Sequence, residues 1–168
     1  MEEAALIYNE IAYAETLSGD LEKAEAAARA ALEIAPTDVW SRYTLNEILL
    51  EAGQAAEAET LARQAVEDSP GFHSWNLLAR ALVAGGIDAE EGLALALDTV
   101  DQLPPRYEER ASSKIFFPLV EETLGQTYGS KGDHEKALLY LEKAAELAPL
   151  GPSLQESLRR TRQIVAAR

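Results

Sequence analysis

The chain has no cysteine and only two histidines among its 168 residues. It can therefore form no disulfide, and it offers no thiolate as a metal ligand or nucleophile. The absence of cysteine also fits a reducing compartment. Neither His73 nor His134 has a second histidine three or four residues away, so the spacing typical of helical zinc sites is missing as well. We expect no metal site and no cofactor.

Basic residues are scarce. Lysine and arginine number 15 against 29 aspartates and glutamates, which gives a formal net charge of −14. The segment 1–70 holds 15 of the acids and only 4 of the bases. Such a surface repels phosphate groups, so nucleic acid and anionic membranes are not expected as partners. The acidic residues either keep helix surfaces solvated or steer a basic partner toward the protein.

Long hydrophobic runs are also missing. No apolar stretch approaches the roughly 18 residues that a membrane-spanning helix needs. The sequence starts with Met1-Glu2-Glu3, where a signal peptide would carry basic residues. We therefore expect a cytoplasmic protein.

The acidic pairs of the sequence, such as Glu121-Glu122, do not have the spacing of a catalytic pair. Adjacent residues on a helix point about 100° apart, so two neighbouring carboxylates do not converge on one substrate. The sequence contains no glycine-rich phosphate loop and no Gly-x-Ser-x-Gly motif. We expect that the protein is not an enzyme.

Regularly spaced prolines and glycines divide the chain into four units. In the first three units the prolines follow one another at equal intervals, and the glycines keep this spacing to within one residue: Pro36, Pro70, Pro104, Gly19, Gly53 and Gly86. The fourth unit follows an insertion, because the interval from Pro104 to Pro149 is longer than the earlier ones. Gly132 still precedes Pro149 by the same interval that separates Gly19 from Pro36. A nearly constant interval of this length is typical of stacked helical repeats.

Each unit has the pattern of a helix, a glycine turn, a second helix and a proline. Glycine can adopt the left-handed conformation that ends a helix, and Asp20 and Asp133, directly after two of the glycines, can cap the next helix. Ala24, Ala28 and Ala31 recur on one face of the second helix, where small side chains allow close helix packing. The proline then ends the second helix.

The fourth unit carries the clearest family motif. Its matching residues are Leu124, Gly125, Tyr128, Ala137, Leu141, Ala144 and Pro149. This pattern resembles the 34-residue tetratricopeptide repeat. The resemblance implies an all-α, right-handed α-solenoid of about four helix-turn-helix repeats in one domain. The repeats are predicted at about 5–37, 38–71, 72–104 and 112–150, and a C-terminal helix at 152–168 is predicted to cap the last apolar face.

The inserted segment begins with Pro104-Pro105 and continues with helix-compatible residues. It is either a loop or an N-terminal extension of the next helix. We favour a short loop, followed by a helix that starts near Ser112.

The resemblance implies that the first helix of each pair lines a concave surface, where a ligand would bind. Helical spacing predicts the following groove residues: Asn9, Tyr13, Trp40, Tyr43, Glu47, His73, Asn76, Arg80, Glu122 and Gln126. Trp40 and Tyr43 either fill the packing between repeats or act as exposed anchors for a partner. We favour exposed anchors, and we expect Arg80 to pair with Glu47 or with a ligand carboxylate.

The resemblance also bears on the kind of partner. Some tetratricopeptide domains hold a C-terminal carboxylate with a clamp of lysines, asparagines and an arginine, and the corresponding positions here lack the lysines and the arginine. We expect an interaction scaffold or adaptor that binds a peptide or helix of a partner protein, one that is basic or carries apolar anchors. The alternatives are a scaffold that forms a homo-oligomer through its alanine-rich side or its C-terminal helix, and a chaperone for secretion or assembly clients.

Overall fold

The computed structural model describes residues 2–103, 113–147 and 152–167, and every regular element in these ranges is an α-helix. The helices are α1 Glu2–Ser18, α2 Leu21–Ile34, α3 Val39–Glu51, α4 Ala55–Asp68, α5 Phe72–Ala84, α6 Ala89–Asp101, α7 Ser113–Ser130, α8 His134–Leu147 and α9 Pro152–Ala166. The predicted all-α fold is confirmed. Pro104, Pro149 and the predicted loop before Ser112 lie outside the described residues.

The turns inside the four helix pairs all use a glycine in the left-handed region. The φ angles are +83° at Gly19, +75° at Gly53, +67° at Gly86 and +80° at Gly132. In the first pair the Asp20 side chain then accepts a hydrogen bond from the Lys23 backbone N–H at 3.2 Å and caps α2. Side chains with a Cβ are strained at these φ angles, which explains why glycine recurs at the turn position.

The helix pairs stack so that the first helices form one continuous layer. Helices α1, α3, α5 and α7 pack against one another in chain order, and α9 packs beside α7. Each second helix packs on the first helix of its own pair and on the next first helix. Within the described ranges, no two second helices approach each other at the backbone. Because the first helices lie closer together, the stack curves with these helices on its concave side.

Small side chains occupy the contacts between paired helices. Ala24, Ala28 and Ala58 are fully buried, as the alanine pattern predicted. Asn46 of α3 stands where the repeat motif has a small residue, and it is also fully buried. Its Nδ2 donates a hydrogen bond to the Ala58 carbonyl oxygen at 3.0 Å, so α3 and α4 still pack closely at this position.

Ion pairs that recur once per repeat connect neighbouring second helices at the surface. Arg29 of α2 pairs with Glu57 of α4 at 2.6 Å, and Arg63 of α4, one repeat later, pairs with Glu91 of α6 at 3.1 Å. The next equivalent position is Leu97, where the series ends. These side chains are well exposed, so each pair contributes roughly 0–1 kcal/mol to stability.

The last described helix, α9, covers the end of the stack. Its Leu158 is 4% exposed and packs with Leu141 and Ala144 of α8. The arginines on its other side form surface ion pairs, including Arg162 with Glu142 at 3.0 Å. This placement fits the predicted capping helix. None of the helices in the described ranges has the length and the apolarity to cross a bilayer.

Candidate functional site

All ten predicted groove residues lie on the first helices, α1, α3, α5 and α7, but the structure exposes them very unevenly. Tyr13 is 62% exposed, and the side chain of Glu47 is 46% exposed. Asn9, Trp40, His73, Glu122 and Gln126 are partly buried. Tyr43, Asn76 and Arg80 are buried. The predicted set therefore divides into residues that a partner could reach and residues that hold the layer together.

The prediction that Tyr43 is an exposed anchor is wrong, because α5 packs over it. Tyr43 is 4% exposed. Its hydroxyl donates a hydrogen bond to the His73 carbonyl oxygen at 3.0 Å and accepts one from Asn76 Nδ2 at 2.9 Å. The ring of Trp40 lies 6.1 Å from the Tyr43 ring and packs at the edge of the same cluster. Tyr43 therefore joins α3 to α5, and only Trp40 keeps part of its surface open.

Replacing Tyr43 by phenylalanine is expected to lower the free energy of unfolding by about 1–3 kcal/mol. Phenylalanine keeps the ring packing but removes the acceptor of the fully buried Asn76 amide. Urea denaturation measures the loss, with Tyr13→Phe as the control. Because Tyr13 is exposed, its substitution should change stability by less than about 0.5 kcal/mol. Equal stabilities of the two variants would contradict the joining role of Tyr43.

Arg80 lies at the centre of a charged cluster that spans three first helices. Its side chain is 3% exposed; Nη2 lies 2.6 Å from Glu47 Oε1 on α3, and Nη1 lies 3.6 Å from Glu122 Oε2 on α7. Burial by itself lowers the pKa of Arg80, but the two carboxylates outweigh burial and raise it above its ordinary value. The predicted pairing with Glu47 is present. Arg80 is nevertheless no accessible groove cation, because α3 and α7 enclose it.

Two further hydrogen bonds involve predicted groove residues, one between helices and one within α7. Asn9 Nδ2 on α1 donates a hydrogen bond to Ser41 Oγ on α3 at 2.9 Å. Gln126 Nε2 donates one to Glu122 Oε1, one turn earlier on α7, at 2.9 Å. The ring of His73 lies 4.3 Å from the Phe72 ring, and burial lowers the pKa of this imidazole. His73 is therefore largely neutral at neutral pH.

The open part of the groove lies away from the predicted aromatic anchors. Beside Tyr43 and His73 there is a cavity of only about 20 Å³, which holds no more than roughly one or two water molecules. A pocket of about 520 Å³ lies between the C-terminal ends of α5 and α7, the start of α8, and α9. Gln126 is the one predicted groove residue that lines it. The structure therefore moves the candidate ligand site toward the C-terminal end of the stack.

The sequence patterns do not predict most of this pocket, because they indicate only a capping role for the C-terminal helix. Ser157, Arg160 and Ile164 of α9 form one side of the pocket. Gly125 and Gly129 of α7 form part of another, and both face α8, since a Cβ atom at either would meet Leu141 or Ala137. The two glycines four residues apart on one helix face were a usable signal, since glycine is rare inside helices unless something packs closely or space is needed.

Comparison with known proteins agrees with this architecture. A tetratricopeptide repeat profile matches residues 16–85, and a second profile of the same family matches residues 122–149. The two matches together span more than half of the chain. No curated protein sequence matches the chain significantly.

Similar solved structures support the same fold. A thermophilic TPR protein of Thermus thermophilus is 21% identical, covers 95% of this chain and 100% of its own, and has a TM-score of 0.53. PilF of Pseudomonas aeruginosa is 22% identical over 98% of this chain and 70% of its own, with a TM-score of 0.60. MamA of Desulfovibrio magneticus is 22% identical over 85% of this chain and 75% of its own, with a TM-score of 0.53. With its helix pairs, glycine turns and matching profiles, the chain belongs to the tetratricopeptide repeat family, whose stacked helices generally serve as scaffolds for protein interactions.

Proposed function

We propose that the protein is a non-enzymatic interaction scaffold that holds a short peptide or helical segment of a partner protein in its concave groove. The observation that carries this proposal is the pocket of about 520 Å³ between α5, α7, α8 and α9. Its volume falls within the range of about 300–1,000 Å³ that is usual for ligand sites. Most of its lining belongs to α5, α7 and α9, and α5 and α7 are first helices of the concave layer.

The lining of the pocket fits a peptide with an apolar side chain. Ala84 and Ile164 supply accessible apolar surface, and Ser130 and Ser157 supply hydroxyl groups. Val83 and Leu141 also line the pocket but are 9% and 1% exposed. An apolar side chain of the peptide would gain free energy by moving from water into this pocket, and the hydroxyl groups would hydrogen-bond the peptide backbone.

Gln126 adds a directional contact to this pocket. Its Nε2 is already bonded to Glu122, but its buried Oε1 accepts no hydrogen bond from the residues that the structure describes. A buried carbonyl oxygen without a donor is costly, so a ligand that turns this amide toward the pocket and donates an N–H to Oε1 would bind favourably. Arg160, at the exposed surface of α9, adds a positive charge beside the pocket.

The rest of the groove would extend the contact toward the N-terminal repeats. Tyr13, Glu47 and the open edge of Trp40 are the accessible residues of the predicted set in that direction. They offer two aromatic surfaces and one partly exposed carboxylate. A segment that crosses the groove would therefore place an apolar anchor near α9 and a basic residue near Glu47.

A pocket-filling substitution tests this proposal. Peptides that bind the protein are first selected from a random library, and their affinity is then measured by calorimetry. Ser157→Phe should weaken binding by about tenfold or more, because its ring occupies the pocket. Gln64→Phe, at an exposed position of α4, is the matched control and should leave affinity unchanged. Unchanged binding to Ser157→Phe, with a circular dichroism spectrum like that of the parent protein, would refute the site.

Self-association through the repeated alanines finds no support in the structure. Ala24, Ala28 and Ala31 are fully buried between helices of the same chain, so they offer no surface to another copy. The exposed side of α9 is polar and carries Arg159 and Arg162 in ion pairs. The groove is therefore the better-supported of the surfaces that the sequence suggested.

A further inference from the structure

An apolar face of α1 lies open at the N-terminal end of the stack. It consists of Leu6, Ile7, Ile11, Ala14 and Leu17, which we call the α1 end face. Leu6, Ile7 and Leu17 are 58%, 61% and 65% exposed, and Ile11 is 43% exposed. The spacing of three, four and seven residues places these side chains on one side of the helix. The exposed Glu10, one turn from Leu6, Ile7 and Ala14, lies inside this face, so the face is apolar with a carboxylate within it. A cluster of exposed apolar side chains indicates an interaction site.

The positions of Ile7, Ile11 and Ala14 are buried in the later repeats, whereas the equivalents of Leu17 stay exposed there. Ile11 corresponds to Leu45 and Ala14 to Ile48, one repeat further along, and these two are 3% and 2% exposed. On α5 and α7 the corresponding residues are again buried: Leu78, Ala81, Leu124 and Thr127. On each of these helices the preceding helix pair packs against the face. The part of the α1 end face formed by Ile7, Ile11 and Ala14 thus corresponds to an internal packing surface of the repeat, and no helix covers it in the described chain.

The shape of the missing partner follows from the repeat itself. Helix α2 packs along α3, α4 along α5, and α6 along α7. A helix that lies on α1 as α2 lies on α3 would bury the same positions in the same way. The occupant of the α1 end face is therefore a helix with one apolar side.

Charge determines which kind of helix fits. Glu3 and Glu10 lie seven residues apart on the same side of α1 as the apolar residues. Both are exposed, and neither forms an ion pair with a residue that the structure describes. The segment 1–70 holds 15 acids and 4 bases, so a second α1 would bring more negative charge to the contact. Helix α9 of a second copy carries arginines, but it is not suited to cover the α1 end face, because its apolar residue Leu158 is already buried.

We propose that the α1 end face binds an amphipathic helix of a partner protein that carries basic residues beside its apolar side. Its apolar side chains would cover Ile7, Ile11 and Ala14, and its lysines or arginines would pair with Glu3 and Glu10. This site lies at the opposite end of the stack from the pocket beside α9. It gives the scaffold a second binding surface that works independently of the groove.

The test uses a synthetic amphipathic helix of leucine and lysine, as long as α2, and a matched helix of leucine and glutamate. Binding to the 168-residue chain is measured by fluorescence anisotropy. The leucine–lysine helix should bind, and the double variant Ile7→Ser/Ile11→Ser should weaken it about tenfold or more without any change in charge. Glu3→Gln/Glu10→Gln should weaken it less and should reduce the salt dependence.

Matched controls separate this face from general attraction to an acidic protein. Leu97→Ser and Leu139→Ser remove exposed leucines of α6 and α8 and should leave affinity unchanged. Ser157→Phe, which fills the pocket beside α9, should also leave the affinity for the leucine–lysine helix unchanged. The test of the α1 end face therefore does not depend on the groove proposal. Three outcomes would overturn the inference: equal binding of the leucine–glutamate helix, full affinity in Ile7→Ser/Ile11→Ser, or a dimer of the free protein that this double variant abolishes.

Discussion

Replacing Arg80 by methionine is expected to lower the free energy of unfolding by about 3–5 kcal/mol. Methionine keeps most of the buried volume of the arginine but removes the charge between Glu47 and Glu122. The side chain of Glu122 is 14% exposed, so its carboxylate would face a poorly hydrated environment without its cation. Urea denaturation followed by circular dichroism in the far ultraviolet measures the effect.

Arg63→Met is the matched control. Arg63 also faces two glutamates, Glu59 at 2.9 Å and Glu91 at 3.1 Å, but its side chain is 45% exposed. Water replaces the lost partner at such a site, so the expected loss is below about 1 kcal/mol. The double variant Arg80→Met/Glu122→Gln should recover part of the stability that Arg80→Met loses. If the two arginine variants were equally stable, burial of Arg80 would not be the cause.

The second large effect is expected at Gly125, where α7 and α8 touch. A Cβ atom at Gly125 would lie 2.6 Å from Leu141 Cγ and 3.1 Å from the Leu141 backbone nitrogen. The backbone contact means that rotation of the leucine alone does not relieve the overlap. Gly125→Ala should therefore lower the free energy of unfolding by about 1–3 kcal/mol through overpacking. Thermal or urea denaturation measures it.

Gly129 provides an internal control on the same helix. A Cβ atom at Gly129 would meet only Ala137 Cβ at 3.7 Å, an ordinary van der Waals contact. Gly129→Ala should therefore stabilise the protein by up to about 1 kcal/mol, because alanine loses less backbone entropy in a helix. The two alanine variants should thus change stability in opposite directions. A gain in stability for Gly125→Ala would mean that the helices can separate there without cost.

Arg80 and Gly125 also connect stability to the proposed function. Arg80 joins α3, α5 and α7, the helices that form the concave side, through the side chains of Glu47 and Glu122, which belong to other repeats. Gly125 lines the pocket and sets the distance between α7 and α8. Substitutions at either residue would therefore alter the shape of the groove as well as the free energy of unfolding.

The turns and the family were predictable because their causes are local. A glycine that must adopt a positive φ, an aspartate one residue later and a recurring alanine face are all properties of short stretches of chain. Gly19 and Gly132 were predicted as turn residues and have φ angles of +83° and +80°. Asp20 was predicted as a cap and accepts the Lys23 N–H.

The groove was predicted only in part, because helical spacing gives the direction of a side chain without its surroundings. Tyr43 shares a stripe with Trp40, yet α5 of the next repeat packs over Tyr43, and Asn76 of that helix donates a hydrogen bond to its hydroxyl. The pairing of Arg80 with Glu47 followed from opposite charges on adjacent helices. The second contact of Arg80, with Glu122, could not be predicted in this way, because it depends on where α7 packs after the inserted segment.

Chain periodicity by itself set the order of the helices, their turns, their small packing residues and their membership of the repeat family, since each of these depends on residues close together in sequence. Tertiary packing decided which side chains remain in contact with solvent. It buried Tyr43 and Arg80, opened a pocket where α9 stacks beside α7, and left Ile7 and Ile11 exposed while Leu45 is covered. The reason is that exposure depends on the helices that pack across a residue, and those helices come from other repeats.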